Sequence, residues 1–257
     1  MNYLLGSLFS LFTVTLAGVG AAHAQPPEKP VSIVLVHGAF VDGSGWQATY
    51  EILTGHGYEV LVVQNSTASL TGDVDETKRV IARARHPVIL VAHSYGGAVI
   101  TQAGNDPKVE RLVYFSAFAP DVGETVFQLA TKPVPGEPGP PLLPPSDGQL
   151  LVDPAKFPDA FALGVDPRLT HFMAIAQVPW GMPAVETPID TPAWRSKPSF
   201  FMIASQDRMI PPTTLRMMAK RAGGTTVEIG GPHAMMLTHP AEVAAFIERA
   251  ATSVAAK

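Results

Sequence analysis

The chain has 257 residues, 46% of them hydrophobic and 16% charged, with 18 basic against 22 acidic side chains and a formal net charge of −4. That balance excludes a disordered chain and offers no basic surface, so no nucleic-acid partner is expected. Cysteine is absent, which removes disulfide frameworks, thiolate metal sites and thiol nucleophiles together and leaves serine, histidine and carboxylates to carry any chemistry.

The first charged side chain is Glu28, and residues 4–20 are nearly all apolar or small. They run into the small-x-small triplet Ala22-His23-Ala24. This pattern predicts a secretory signal cleaved near Ala24, giving a mature chain of 25–257 that is exported, either periplasmic or secreted. The apolar run is short for a membrane span and no second one follows, so no stable membrane insertion is expected after cleavage.

Short β-branched runs at 32–36, 59–63, 88–92, 112–115, 200–204 and 226–229 predict strands. They are continuously apolar rather than alternating, as in a parallel sheet buried on both faces. Segments of helical period lie between them at 46–56, 73–85, 97–105, 212–222 and 240–251. Such alternation predicts an α/β fold, a mostly parallel sheet flanked by helices and built with right-handed crossovers. The stretch 120–198 breaks the rhythm, holding 16 of the 25 prolines, seven of them within 133–145. Proline neither donates to a ladder nor sits inside a helix, so short irregular pieces are expected there. Phe157, Phe161, Phe172, Met173, Trp180 and Trp194 give this stretch an apolar content that linkers lack. It reads as a proline-rich cap inserted into a single domain.

Four segments carry chemistry. The run 88–92 leads into Ala92-His93-Ser94-Tyr95-Gly96-Gly97, a strand–turn–helix with serine at the apex and small residues where the two backbones must approach closely. Alanine stands where the usual G-x-S-x-G has its first glycine. After the first mature strand comes His37-Gly38-Ala39-Phe40, a turn able to present a backbone N–H opposite the serine. The oxyanion donors are expected at Ala39 and Tyr95, with Phe40 as a substitute donor if the following loop shifts the turn. The last strand is followed by His233, the expected base, whereas His37 is expected to brace its loop. Asp207 follows the penultimate strand and is the expected orienting acid, with Asp121 as fallback. The order Ser94…Asp207…His233 matches one of the known chain orders for a serine triad.

On these segments the chain resembles the α/β-hydrolase superfamily. His37-Gly38-Ala39, His93-Ser94-Tyr95-Gly96-Gly97, Asp207-Arg208-Met209-Ile210-Pro211 and His233-Ala234-Met235-Met236-Leu237 further resemble the plant methylesterase and hydroxynitrile-lyase branch and its bacterial esterase relatives. The resemblance implies a nucleophilic Ser94, a base His233, an acid Asp207, a two-amide oxyanion hole and a cap, with no cofactor and no metal. The lyases of that branch carry lysine directly after the catalytic histidine, whereas Ala234 stands here. Cleavage of a small to medium uncharged ester, thioester or lactone is therefore expected. Phe40, Phe172, Met173, Trp180, Trp194 and Met235 are the expected pocket residues. Lyase-like chemistry, cofactor-free oxygen chemistry and a receptor role remain alternatives at this stage.

Overall fold

The computed structural model describes residues 30–253; the predicted signal sequence lies outside them. In chain order the first half contains β1 (Ser32–Val36), a 3-10 turn (Gly43–Trp46), α1 (Gln47–Gly55), β2 (Glu59–Val63), α2 (Leu70–Arg83), β3 (Val88–His93), α3 (Gly96–Ala103) and β4 (Val109–Phe115). The proline-rich segment follows, with α4 (Val126–Thr131), β5 (Gln149–Leu150), α5 (Phe157–Phe161), α6 (Pro167–Ile175), β6 (Trp180–Gly181) and α7 (Met182–Glu186). The chain then returns to the sheet as β7 (Ser199–Ala204), α8 (Pro212–Ala222), β8 (Thr225–Ile229), α9 (Met235–Thr238) and α10 (Pro240–Thr252).

The main sheet has the order β2-β1-β3-β4-β7-β8, and every pairing in it is parallel. β1, β3 and β7 are buried at every position, which is why their sequences read as unbroken apolar runs. The strand expected at 112–115 begins earlier, at Val109, because Glu110 and Arg111 sit at the partly exposed start of β4 and mask its entry. Similarly, α2 starts at Leu70, three residues before the expected position, because the Ser69 side chain caps the helix by accepting the Gly72 amide. The expected helix at 46–56 opens as the 3-10 turn, capped by Asp42.

Strand order decides where a site can form. From β1 the chain crosses to β2 on one side, then returns to place β3 on the other. The C-terminal ends of β1 and β3 therefore flank a topological switch point, where loops diverge and a crevice opens. His37 and Ser94 stand at those ends.

The N-terminal end of the sheet is closed by a carboxylate. Glu59, the first residue of β2, accepts hydrogen bonds from Ser32 Oγ of β1 and from Arg85 N and Nε, the latter two at 2.8 Å. Burial works to raise its pKa, but the Ser32 and Arg85 hydrogen bonds prevail and hold it at about 2, below the ordinary 4.5. A carboxylate depressed in the folded state stabilises the fold above its unfolded pKa and loses that contribution as pH falls through the folded value. Glu59→Gln is therefore expected to lower the melting temperature near neutral pH, with the gap to wild type closing as pH falls from about 4.5 to about 2. Thermal unfolding of both proteins across that range checks it; a gap independent of pH would contradict the assignment.

Candidate active site

Ser94 sits between the end of β3 and the start of α3 with φ of 55°, in the left-handed region that a non-glycine residue occupies only under constraint. The constraint is packing against β1. A Cβ added to Gly38 would lie 2.6 Å from Ser94 Cβ, and one on Gly96 would lie 2.6 Å from the His37 carbonyl oxygen. Both contacts are closer than real Cβ atoms tolerate, so glycine is required at both positions. The turn is closed by Gly97 N and Phe118 N donating to the Ser94 carbonyl at 3.0 and 3.1 Å. Ser94 remains 7% exposed, and its hydroxyl makes no hydrogen bond among the described residues.

His233 and Asp207 are joined. Nδ1 of His233 donates to Asp207 Oδ2 at 2.7 Å, and both side chains are fully buried. The other carboxylate oxygen accepts from the Met209 and Ile210 amides at 2.8 Å each, so Asp207 is held as an acceptor on both oxygens. This fixes the His233 tautomer with its lone pair on Nε2, which has no protein partner among the described residues. The His233 loop is pinned from two directions. His93 Nε2 donates to the His233 carbonyl at 3.0 Å, and Ala234 N donates to Phe161 O at 2.9 Å. The Phe161 ring stands edge-on to His233 at 5.0 Å, and the His93 ring lies 4.5 Å from it. Because His93 adjoins Ser94 in the chain, this side-chain hydrogen bond couples the elbow to the His233 loop. Burial, with the neighbouring His233 second, pushes the His93 pKa well below the usual histidine range and keeps the ring neutral.

The amides of Ala39, after β1, and of Tyr95, in the elbow itself, have no acceptor among the described residues. Phe40, the substitute donor, has φ of 67°, and its N–H is engaged by Val178 O at 3.1 Å, which removes it from that role. The Tyr95 side chain is itself anchored: its hydroxyl donates to Asp73 Oδ2 at 2.8 Å. Asp73 Oδ1 accepts from Thr67 N at 3.1 Å and from Ser66 Oγ at 3.2 Å. Burial raises the Asp73 pKa, and the Tyr95, Ser66 and Thr67 hydrogen bonds oppose that rise. His37 Nδ1 donates to the Gly38 carbonyl at 2.8 Å, the bracing role expected for it.

The pocket residues divide. Ser94 opens on a cavity of about 10 Å³, room for about one water, lined by Phe40, Trp180, Phe118, Leu142, Met209 and Ile210 among others. Phe172 and Met173 instead line a separate cleft of about 440 Å³, which shares only Phe40 with that cavity. Trp194 and Met235 line neither. Trp194 Nε1 donates to Pro120 O at 3.0 Å and its ring lies under the Arg195 and Arg221 guanidinium groups at 5.6 Å, while Met235 is fully buried at the start of α9. The fallback acid Asp121 pairs with Arg195 at 2.6 Å and does not contact His233.

A sequence profile of the alpha/beta hydrolase family matches residues 33–246, spanning every element from β1 into α10. The chain belongs to the alpha/beta hydrolase family. Among curated relatives it is 35% identical over 120 residues to a carbendazim hydrolyzing esterase of Nocardioides sp. (strain SG-4G), a match covering 41% of this chain and about half (50%) of that protein. It is 26% identical over 246 residues to the alpha/beta hydrolase nvfD of Aspergillus novofumigatus (strain IBT 16806), covering 87% and 97% of the two chains. Among solved structures it is similar to a pyrethroid hydrolase from Sphingobium faniae JZ-2, with TM-score 0.72, 25% identity and coverage of 88% and 99%.

Three residues of the site were not given a functional part by the sequence: His93, Asp73 and Phe161. His93 lies inside the elbow motif, and its neighbourhood to Ser94 was the only hint. Asp73 carries a readable signal, an acid in the first turn of a capped helix, but nothing in the sequence pairs it with Tyr95. Removing the Tyr95 hydroxyl leaves a buried Asp73 oxygen without its donor, a loss of roughly 1–3 kcal/mol. Tyr95→Phe is therefore expected to lower unfolding free energy by that amount in denaturant titration. Unchanged stability would contradict the anchoring role.

Proposed function

We propose that this hydrolase is a serine esterase that cleaves small uncharged carboxylic esters, or the related thioesters and lactones, through an acyl-enzyme on Ser94. The observation that carries the reading is the buried His233–Asp207 pair, whose outer nitrogen is free while the strained Ser94 hydroxyl is also free. In the proposed cycle Ser94 Oγ attacks the substrate carbonyl carbon as His233 Nε2 takes its proton. The oxygen of the tetrahedral intermediate accepts the Ala39 and Tyr95 amides, each such donor being worth roughly 3 kcal/mol. The C–O bond then breaks as His233 returns the proton to the leaving alcohol. Water, deprotonated by the same nitrogen, attacks the acyl carbon and releases the acid, restoring the serine. Asp207 orients the ring and stabilises its transient positive charge throughout.

Support for an ester substrate comes from the relatives, one named as an esterase acting on carbendazim and another as a pyrethroid hydrolase. Ala234 in place of the lysine of the lyase-like branch supports the same reading. The close walls around Ser94 favour a short acyl group, since a cavity of about 10 Å³ accepts little more than a methyl without movement of Leu142 in the cap. Turnover of p-nitrophenyl esters of increasing chain length tests both parts. Acetate is expected to exceed octanoate in kcat/KM, and Ser94→Ala is expected to lose at least about 10⁴-fold in kcat while keeping the wild-type melting temperature. Wild-type-like turnover by Ser94→Ala would overturn the mechanism, and a preference for octanoate would overturn the acyl assignment.

A further inference from the structure

The cycle leaves two buried ring nitrogens on the β1 side without a task. His37 and Trp46 are each 1% exposed. Since His37 Nδ1 donates to the Gly38 carbonyl, its Nε2 carries the lone pair. Burial holds its pKa below the usual histidine range, so the ring is neutral and Nε2 is an acceptor. Trp46 Nε1 carries a hydrogen and only donates. Neither nitrogen has a partner among the described residues. A buried donor or acceptor left unsatisfied is expensive, so an acceptor and a donor from residues that line one chamber call for a group that serves both.

The surroundings narrow that group. His37 and Trp46 both line an inner chamber of about 10 Å³, walled by apolar side chains that include Phe161 and Met236. This chamber shares Val41, Met173 and Leu237 with the outer cleft of about 440 Å³, a volume within the range of small-molecule sites. On its outer wall α6 presents Leu169 and Phe172, 45% and 67% exposed, a degree of exposure unusual for adjacent large apolar residues. Ser94 lines neither space.

We propose that the cleft and its inner chamber form a second binding site, distinct from the Ser94 cavity, for an apolar aromatic molecule bearing one hydroxyl: a phenol or an aryl alcohol. The hydroxyl donates to His37 Nε2 and accepts the Trp46 N–H, while the ring packs between α6 and Val41. A hydroxyl is the smallest organic group that does both. A carboxylate has no proton for His37 and would be placed beside Asp42, which lines both spaces. An ammonium group cannot accept from Trp46. The proposal concerns binding alone, so it stands or falls separately from the esterase cycle.

Calorimetric titration of the full chain with 2-naphthol and with 2-methoxynaphthalene, which cannot donate, provides the test. Loss of one such hydrogen bond at about 1.4 kcal/mol corresponds to about tenfold in Kd. The proposal expects 2-naphthol to bind about tenfold more tightly or better, with the His37 ring nitrogen and Trp46 indole NMR signals shifting on saturation. Ala48→Trp, at an exposed lining position of α1, is expected to weaken 2-naphthol binding at least tenfold without altering p-nitrophenyl acetate turnover. Should that variant fail to fold, Ala176→Trp on the opposite wall makes the same comparison. Equal affinity for the two naphthalenes, with the His37 and Trp46 signals unmoved, would mean that water alone serves these nitrogens and would overturn the proposal. Binding untouched by the wall substitutions would overturn it as well.

Discussion

The site depends on one steric constraint: the end of β1 and the β3–α3 elbow are packed to backbone contact. Gly38 against Ser94 and Gly96 against the His37 carbonyl leave no room for a Cβ on either side. That contact holds Ser94 in its left-handed conformation. It exists because the strand order reverses at β1 and β3, so two loops diverge there and nothing else fills the gap. Backbone strain is concentrated along the same edge. Phe40, Thr67, Ser94 and Ser116, each with positive φ, follow the ends of β1, β2, β3 and β4 in turn. Strain of that kind costs of order 1–3 kcal/mol per residue and persists only where surrounding contacts over-determine the backbone.

The cap supplies several of those contacts. Phe40 N donates to Val178 O, Gly181 N to Thr67 O, Thr67 Oγ1 to Pro179 O and Ala234 N to Phe161 O, so the loops after β1, β2 and β8 are tied to the proline-rich segment. Asp73 gathers two of these threads, holding Thr67 through its amide and Tyr95 through its hydroxyl. The Tyr95 side of the elbow is therefore braced by a buried carboxylate. On the other side His93 does the equivalent for the His233 loop. A segment fastened this closely accounts for the small space at Ser94, which Leu142 and Trp180 help to line.

The sheet and the segments that carry Ser94, Asp207 and His233 were legible in the sequence because their physics is local. A strand buried on both faces reads as an unbroken apolar run, and a backbone contact reads as glycine: 88–92 followed by Gly96 and Gly97 needs no tertiary knowledge. The Asp207–His233 pairing follows from chain order once the strands are placed. What could not be read depends on residues distant in sequence. Asp73 and Tyr95 are 22 positions apart, and His93 reaches His233 across 140. In the cap, aromatic content identified a folded unit but not the direction each ring faces. Trp180 turned to Ser94, Phe172 to the outer cleft and Trp194 to a pair of arginines, three outcomes that composition cannot separate.

In the proposed reading the packed elbow makes Ser94 a nucleophile with His233 as its base. Labelling the protein with a fluorophosphonate probe, followed by peptide mapping, tests this most directly. The account predicts a single adduct on Ser94 that forms in the wild-type chain and is lost in His233→Ala. An adduct on another residue, or equal labelling of Ser94 without His233, would contradict it.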